Sequence, residues 1–288
     1  MTGGMGKWHD ARLAGRWFSA NASALRDDMR HWLDGATPPS MPLVRSLIVP
    51  HAGYIYSGSV AAQAYATLRS VSYARVVLLA PSHFSRFRGV AVLRWDGFET
   101  PLGRVGIDRE TVQRLLAQPC FVENDTAYDE EHALEIQLPF VRMVLPQAKL
   151  VPLLVGDLTA EDNCAVADAL RPLDDGDTLF VVSSDFIHYG SRFDYLPFPA
   201  DERDRVKERL RALDLEAIDL VCAGDLDGFR RYLSRTGATI CGRAPIAVFL
   251  ELHRRRSVGR LLCYRTSLDV TGDYEHSVSY ASIAFAAS

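Results

Sequence analysis

The chain has 288 residues, 48% hydrophobic and 24% charged, with a net charge of -4 and a pI near 6.1. That balance supports a sizeable core and excludes a global positive field drawing the chain to nucleic acid or an anionic membrane. No apolar run approaches the roughly 20 residues a spanning helix needs, and the opening MTGGMGKWHD lacks the apolar centre of a signal peptide, so the expectation is a soluble, cytoplasmic protein with no nucleic-acid or membrane partner.

Asn21 or Ser23 is expected to cap a helix from Ala22 to Leu33, with Leu25, Met29 and Leu33 along its buried stripe. After the short rigid connection TPPSMP, the apolar run Leu47 to Val49 is closed by Pro50 and reads as a buried strand carrying His51 beside Gly53 at its carboxyl end. Ser57 is the expected N-cap of the Ala-rich helix that follows. About thirty residues on the punctuation recurs: RVVLLA, Arg75 to Ala80, ends in Pro81, Ser82 and His83. One such histidine is readily explained as a strand-end cap, but a parallel sheet puts equivalent strand ends on one edge, so His51 and His83 are expected to converge.

Val90 to Ile107 reads as a hairpin turning around Gly97 and the Pro101 to Gly103 segment, and Asp108 as the cap of a helix through Ala117. Tyr128 to Leu145 reads as a helix opened by Asp129, Glu130 and Glu131, with His132 in its first turn and a break at Pro139. Lys149 to Val155 is a further strand and Glu161 to Leu170 a further helix. The strand Leu179 to Val182 ends in Ser183, Ser184 and Asp185, with His188 three residues later, a carboxylate and an imidazole close enough to pair or to face one ligand. Helices are expected over 204–222 and 226–234. The strand Arg260 to Thr266, the polar loop SLDVTGDYEHS and the strand Val278 to Phe285 close the chain. The basic run Arg254 to Arg256 reads as a solvated helix end.

The five cysteines, at 120, 164, 222, 241 and 263, are odd in number and form no CxxC, which argues against a disulfide framework and a zinc knuckle. Cys241 stands apart. It lies just before a helix that Pro245 opens, with Arg243 adjacent, a setting expected to favour the thiolate and to make it the most reactive thiol.

The motifs PHAGYIYSG, APSHF, DEEHALEIQLPF, SSDFIHYG, TICGRAPI and DVTGDY, in this order, resemble the Memo family, whose prokaryotic members are called AmmeMemoRadiSam system protein B. The resemblance runs from AGRWFSAN to the last strand. It implies one Memo-like domain over residues 1 to 288, of α/β class: a three-layer α/β/α sandwich around a central, largely parallel or mixed sheet, similar to class III extradiol dioxygenases. It also implies His51, His83 and Cys241 as ligands of a transition metal, iron or copper with zinc as a further option, and Asp185 and His188 beside them. Those dioxygenases use two histidines and a carboxylate, and a thiolate is softer and more oxidisable, so ring cleavage does not carry over. Three functions follow. The first is a non-haem, metal-dependent oxidoreductase acting on a small organic substrate, with His188 and Asp185 as catalytic groups and His132, Tyr54 and Arg243 at the substrate. The second is a non-catalytic adaptor binding a peptide or an anion in the same cleft, and the third is a copper- or iron-handling protein. The family name implies a radical SAM protein and an AMMECR-type protein as pathway partners.

Overall fold

Periodicity and caps account for most of the elements in the computed structural model, which describes residues 6–198, 203–253 and 258–286. After the short strand β1 (Trp8–His9), α1 (Ala22–Asp34) starts at Asn21, whose side chain accepts from the Ser23 and Ala24 amides, and buries Leu25, Met29 and Leu33. Strand β2 (Val44–Val49) leads into α2 (Tyr54–Tyr65). Here the expected cap fails. The helix begins four residues earlier, with Gly53 at its cap, and the Ser57 hydroxyl donates to Ala52 O (2.7 Å) from within the first turn.

Strands β3 (Arg75–Pro81) and β4 (Val90–Val92) follow, then β5 (Gly97–Phe98) and β6 (Val105–Gly106). The expected hairpin is the β5–β6 pair, which forms a small sheet with β1, whereas β4 belongs to the main sheet. Next come α3 (Arg109–Leu116), capped by Asp108 through the Thr111 amide, and β7 (Phe121–Glu123). The segment expected as one helix broken at Pro139 is two helices, α4 (His132–Glu135) and α5 (Leu138–Val144). Pro139 opens the second of them, in the first turn, where its missing N–H costs no hydrogen bond.

Strand β8 (Lys149–Val155), α6 (Ala160–Leu170), β9 (Thr178–Ser183) and β10 (His188–Tyr189) precede α7 (Arg203–Cys222), α8 (Leu226–Thr236) and α9 (Arg243–His253). The chain ends in β11 (Gly259–Thr266), the one-turn helix α10 (Leu268–Thr271), set in what reads from sequence as a loop, and β12 (Ser277–Ala286). The basic run 254–256 lies outside the described residues. No helix among the described residues is long and apolar enough to cross a membrane.

The main sheet runs β10-β12-β2-β9-β3-β8-β4-β7, with β11 paired to β12. Its centre, β2-β9-β3-β8, is parallel, and β12 and β4 flank it antiparallel. Between β2 and β3 the chain moves one way across β9, and between β8 and β9 it moves back across β3. Right-handed crossovers therefore put α2 and α6 on opposite faces. Helix α1 packs on α2, and α9 packs on α6 and on β3 and β9, which completes the three layers. Buried on both faces, the central strands read as continuous apolar runs, with Val76 to Ala80 and Leu179 to Val182 fully enclosed.

Candidate functional site

Because Val49 pairs with Ser183 in the β2–β9 register, His51 and Asp185 each stand two residues past neighbouring strand ends. The turn between them is locked by the backbone. Ser184 N donates to Val49 O (2.8 Å), and the His51 amide donates to Asp185 Oδ1 (2.7 Å). The His51 ring is buried, with Nδ1 3.0 Å from Ser183 Oγ. Ser183 spends its only proton on Ala133 O (2.6 Å) and accepts from Gln137 Nε2 (3.0 Å), so toward His51 it must accept as well. His51 is therefore the Nδ1–H tautomer, and its Nε2 lone pair faces the site. Burial, and then the neighbouring His83, His132 and His188, hold its pKa well below the usual imidazole value.

His83 comes from the end of β3 and is oriented by one carboxylate. Glu131 Oε2 accepts from its amide (2.6 Å), and Oε1 lies 2.8 Å from its Nδ1. The same carboxylate caps α4 through the Ala133 amide (2.8 Å). Burial alone would raise the Glu131 pKa, but the hydrogen bonds from His83 and the Ala133 amide, with the electrostatics of His83 and His132, together outweigh it and leave the group lowered, hence ionised. An ionised Glu131 leaves His83 as donor at Nδ1 and its Nε2 open. His132, the first residue of α4, stacks on His83 with ring centroids 4.5 Å apart and packs against Trp17 in a tilted contact at 4.6 Å. Its pKa falls to about 4, chiefly through burial.

His51, His83 and His132 thus converge, with one ligand atom each lying within 4.8 Å of the others, and this cluster could hold a metal ion. Cys241 is not in that set. Its Sγ nevertheless sits 3.1 Å from His51 Nε2, the nitrogen that faces the cluster, and accepts from the Asp185 amide (3.2 Å). Against the thiolate expected from the helix start, burial, with the Asp185 charge next, raises the Cys241 pKa well above the usual thiol value. Asp185 itself is pushed up to about 7 by burial, partly offset by the amides of His51 and Ala52. His188 directs Nδ1 to the carbonyls of Phe186 and Thr239 (3.0 Å each), so its Nε2 faces outward with a lone pair, and burial lowers its pKa.

These groups open into a cleft of about 450 Å³ lined by His51, His83, His132, Asp185 and His188 and walled by Trp17, Ile55, Tyr56 and Tyr280. Two residues expected at a ligand lie elsewhere. Tyr54 is in the core, its hydroxyl donated to Ile136 O (2.9 Å), and Tyr56 takes the wall position. Arg243 lines a separate cleft with Cys241. The sequence reading also missed the positioning roles of Ser183, Gln137 and Glu131. For Glu131 a signal existed, an acid directly before a histidine at a helix start. For Gln137 there was none.

The profile of a family described as Memo-like protein matches residues 9–284. A memo-1 homolog of Caenorhabditis elegans is 35% identical over 283 residues, covering 94% of this chain and 81% of the relative. A MEMO1 family protein of Methanothermobacter thermautotrophicus is 33% identical (94% and 98% covered), and MEMO1 of Xenopus laevis is 33% identical (95% of each). Among solved structures, an uncharacterized protein from Escherichia coli K12 superposes with a TM-score of 0.54 at 14% identity, over 84% of this chain and 99% of that one, a likeness of fold alone. With identity of this order sustained from the first strand to the last, the chain belongs to the Memo-like family.

Proposed function

We propose that the histidine cluster binds a transition metal, iron or copper in preference to zinc, and that the protein is a redox enzyme acting on a small organic molecule in the adjoining cleft. What carries this reading is the proton inventory. His51 and His83 both have Nδ1–H committed, to Ser183 and to Glu131, so both present Nε2 lone pairs to one point that His132 also reaches. Three imidazoles with a cysteine adjacent suit a borderline transition metal better than calcium or magnesium, which prefer oxygen. When bound, the metal would supply Lewis acidity and electron transfer.

The chain's own groups would do the rest. His188, neutral because burial lowers its pKa, offers Nε2 as a base for a substrate hydroxyl, while Asp185 can hold a proton near neutral pH. Trp17, Tyr56 and Tyr280 would exclude water and orient an apolar substrate body. A second reading, a peptide-binding adaptor, draws on Ile55 and Phe84, which are 73% and 59% exposed around the same cleft. Family resemblance further suggests a cytoplasmic pathway shared with radical SAM and AMMECR-type proteins. The test is metal analysis of protein purified without chelator, followed by oxygen consumption with catechols and other small phenols. Stoichiometric iron or copper with turnover supports the enzyme. Metal without turnover leaves metal handling, and absence of metal after reconstitution attempts sinks the proposal.

A further inference from the structure

A second cleft of about 590 Å³ shares His83 with the apolar cleft and is lined by Cys241 as well. Its floor is fixed by backbone hydrogen bonds between the segment after β3 and the end of β8: Asp157 N to Phe87 O (2.9 Å), Gly156 N to Gly89 O (2.9 Å) and Gly89 N to Asp157 O (3.1 Å). The approach is close enough that a Cβ on Gly156 would overlap the Phe87 carbonyl. Two arginines enter this cleft from different elements, Arg86 from the loop after β3 and Arg243 as the first residue of α9. Among the described residues neither side chain has a carboxylate or hydrogen-bond partner. Arg88 by contrast takes Asp162 with two hydrogen bonds (2.9 and 3.0 Å), and Arg75 takes Asp108 and Asp175. Asp157, the carboxylate in the lining, is within ion-pair distance of neither arginine, so the lining holds two guanidinium charges and one carboxylate.

We propose that this second cleft binds a small oxyanion, a phosphate or carboxylate group, between Arg86 and Arg243. Two planar guanidinium groups lining one cleft without partners match the paired oxygens of such a group, and the Ser85 hydroxyl in the same lining is a further donor. The arginines, not the neighbouring His83, are the donors here, and the site needs no metal.

The experiment is calorimetric titration of chelator-treated full-length protein with inorganic phosphate and, separately, with malonate, at constant ionic strength. Saturable one-site binding is expected, weakened roughly 10-fold by Arg86→Ala or Arg243→Ala, the scale of one charge-assisted hydrogen bond. Arg86→Lys and Arg243→Lys keep the charge and lose the fork, and are expected to fall between. Arg88→Ala, which loses an arginine already paired outside the cleft, is expected to bind as the parent does. Tighter binding of phosphate assigns a phosphoryl group, and tighter binding of malonate a carboxylate. Two results overturn the proposal: no saturable binding of either anion, or an equal loss in Arg88→Ala, which would mean nonspecific charge. Because the protein is metal-free throughout, either result leaves the metal-binding reading untouched.

Discussion

A hydroxyl with one proton and two lone pairs sets which nitrogen His51 presents. With Ser183 committed to Ala133 O, its acceptor capacity serves both Gln137 and the His51 ring, and Gln137 is itself fixed by Pro50 O and the Tyr65 hydroxyl. Ser183→Ala is therefore expected to weaken metal binding about 10- to 100-fold by freeing the tautomer and tilt of the ring. Metal titration followed by optical spectroscopy measures this. In the same series His51→Ala and His83→Ala are expected to lose far more, whereas His188→Ala, whose ring is held by Phe186 and Thr239 apart from the cluster, is expected to bind nearly as the parent does while losing turnover. If His188→Ala loses metal as completely as His51→Ala, the division between holding metal and moving protons is wrong. His51, His83, Asp185 and His188 were legible in sequence because each follows an apolar run that only a buried strand explains. Ser183 and Gln137 were not, since their roles depend on a hydrogen-bond circuit closed across 46 residues.

At the scale of elements, one misplaced helix start accounts for the exchange of Tyr54 for Tyr56. Reading Ser57 as the cap leaves both tyrosines in a loop, free to face a ligand. Starting α2 at Tyr54 instead puts them about 200° apart around the axis, one in the core against Phe18 and Phe140 and one on the cleft. Residues 54 to 57 carry no side-chain cap to reveal this, because Gly53 caps with backbone alone. The junction of α9 with β9 is equally exacting. Gly242 N donates to Ser184 Oγ (3.1 Å), and a Cβ at Gly242 would overlap the Ser184 side chain. Gly242→Ala is expected to lower the thermal midpoint and to slow alkylation or metal-induced quenching at Cys241 relative to the parent's pattern. An unchanged midpoint and an unchanged Cys241 reaction rate would show that the junction yields. For α4, Glu131→Gln keeps the shape but loses the charge that orients His83 and is expected to cost metal affinity about as much as Ser183→Ala.

For the molecule as a whole, most strands and helices were legible because apolar runs, prolines and caps agree with one another along most of the chain, whereas the three layers were expected only through the family resemblance. Of the small β1-β5-β6 sheet only the β5–β6 hairpin was legible, through its turn residues, because two-residue strands carry no period. Burial also leaves a signature in stability. Asp214 and Glu135 are both raised to about 7, Asp214 with Ile187 N and the Tyr264 hydroxyl as donors and Glu135 with Leu13 N. A carboxyl with a raised folded pKa holds its proton better folded than unfolded. Its contribution is complete below the unfolded value near 4 and is lost as pH rises toward 7. The buried histidines, with lowered pKa values, act in the opposite sense over the same window, so the readout is a difference. Asp214→Asn, which keeps an oxygen for Ile187 N–H, is expected to gain thermal midpoint relative to the parent as pH goes from 5 to 8. A difference that stays constant across that range would count against Asp214 as the source.

His83 reaches solvent, its side chain 26% exposed, yet its amide is tied to a carboxylate 48 residues away, and the His51 amide is tied to one 134 residues away. Neither proton can reach water by fraying of its own turn, since release requires Glu131 or Asp185 to leave its place. In deuterium oxide these two amides should thus exchange on the timescale of the β2, β3 and β9 core, slower than the neighbouring loop residues, although one of them belongs to a residue in contact with solvent. The pair would report, without any label or ligand, how often the floor of the site opens.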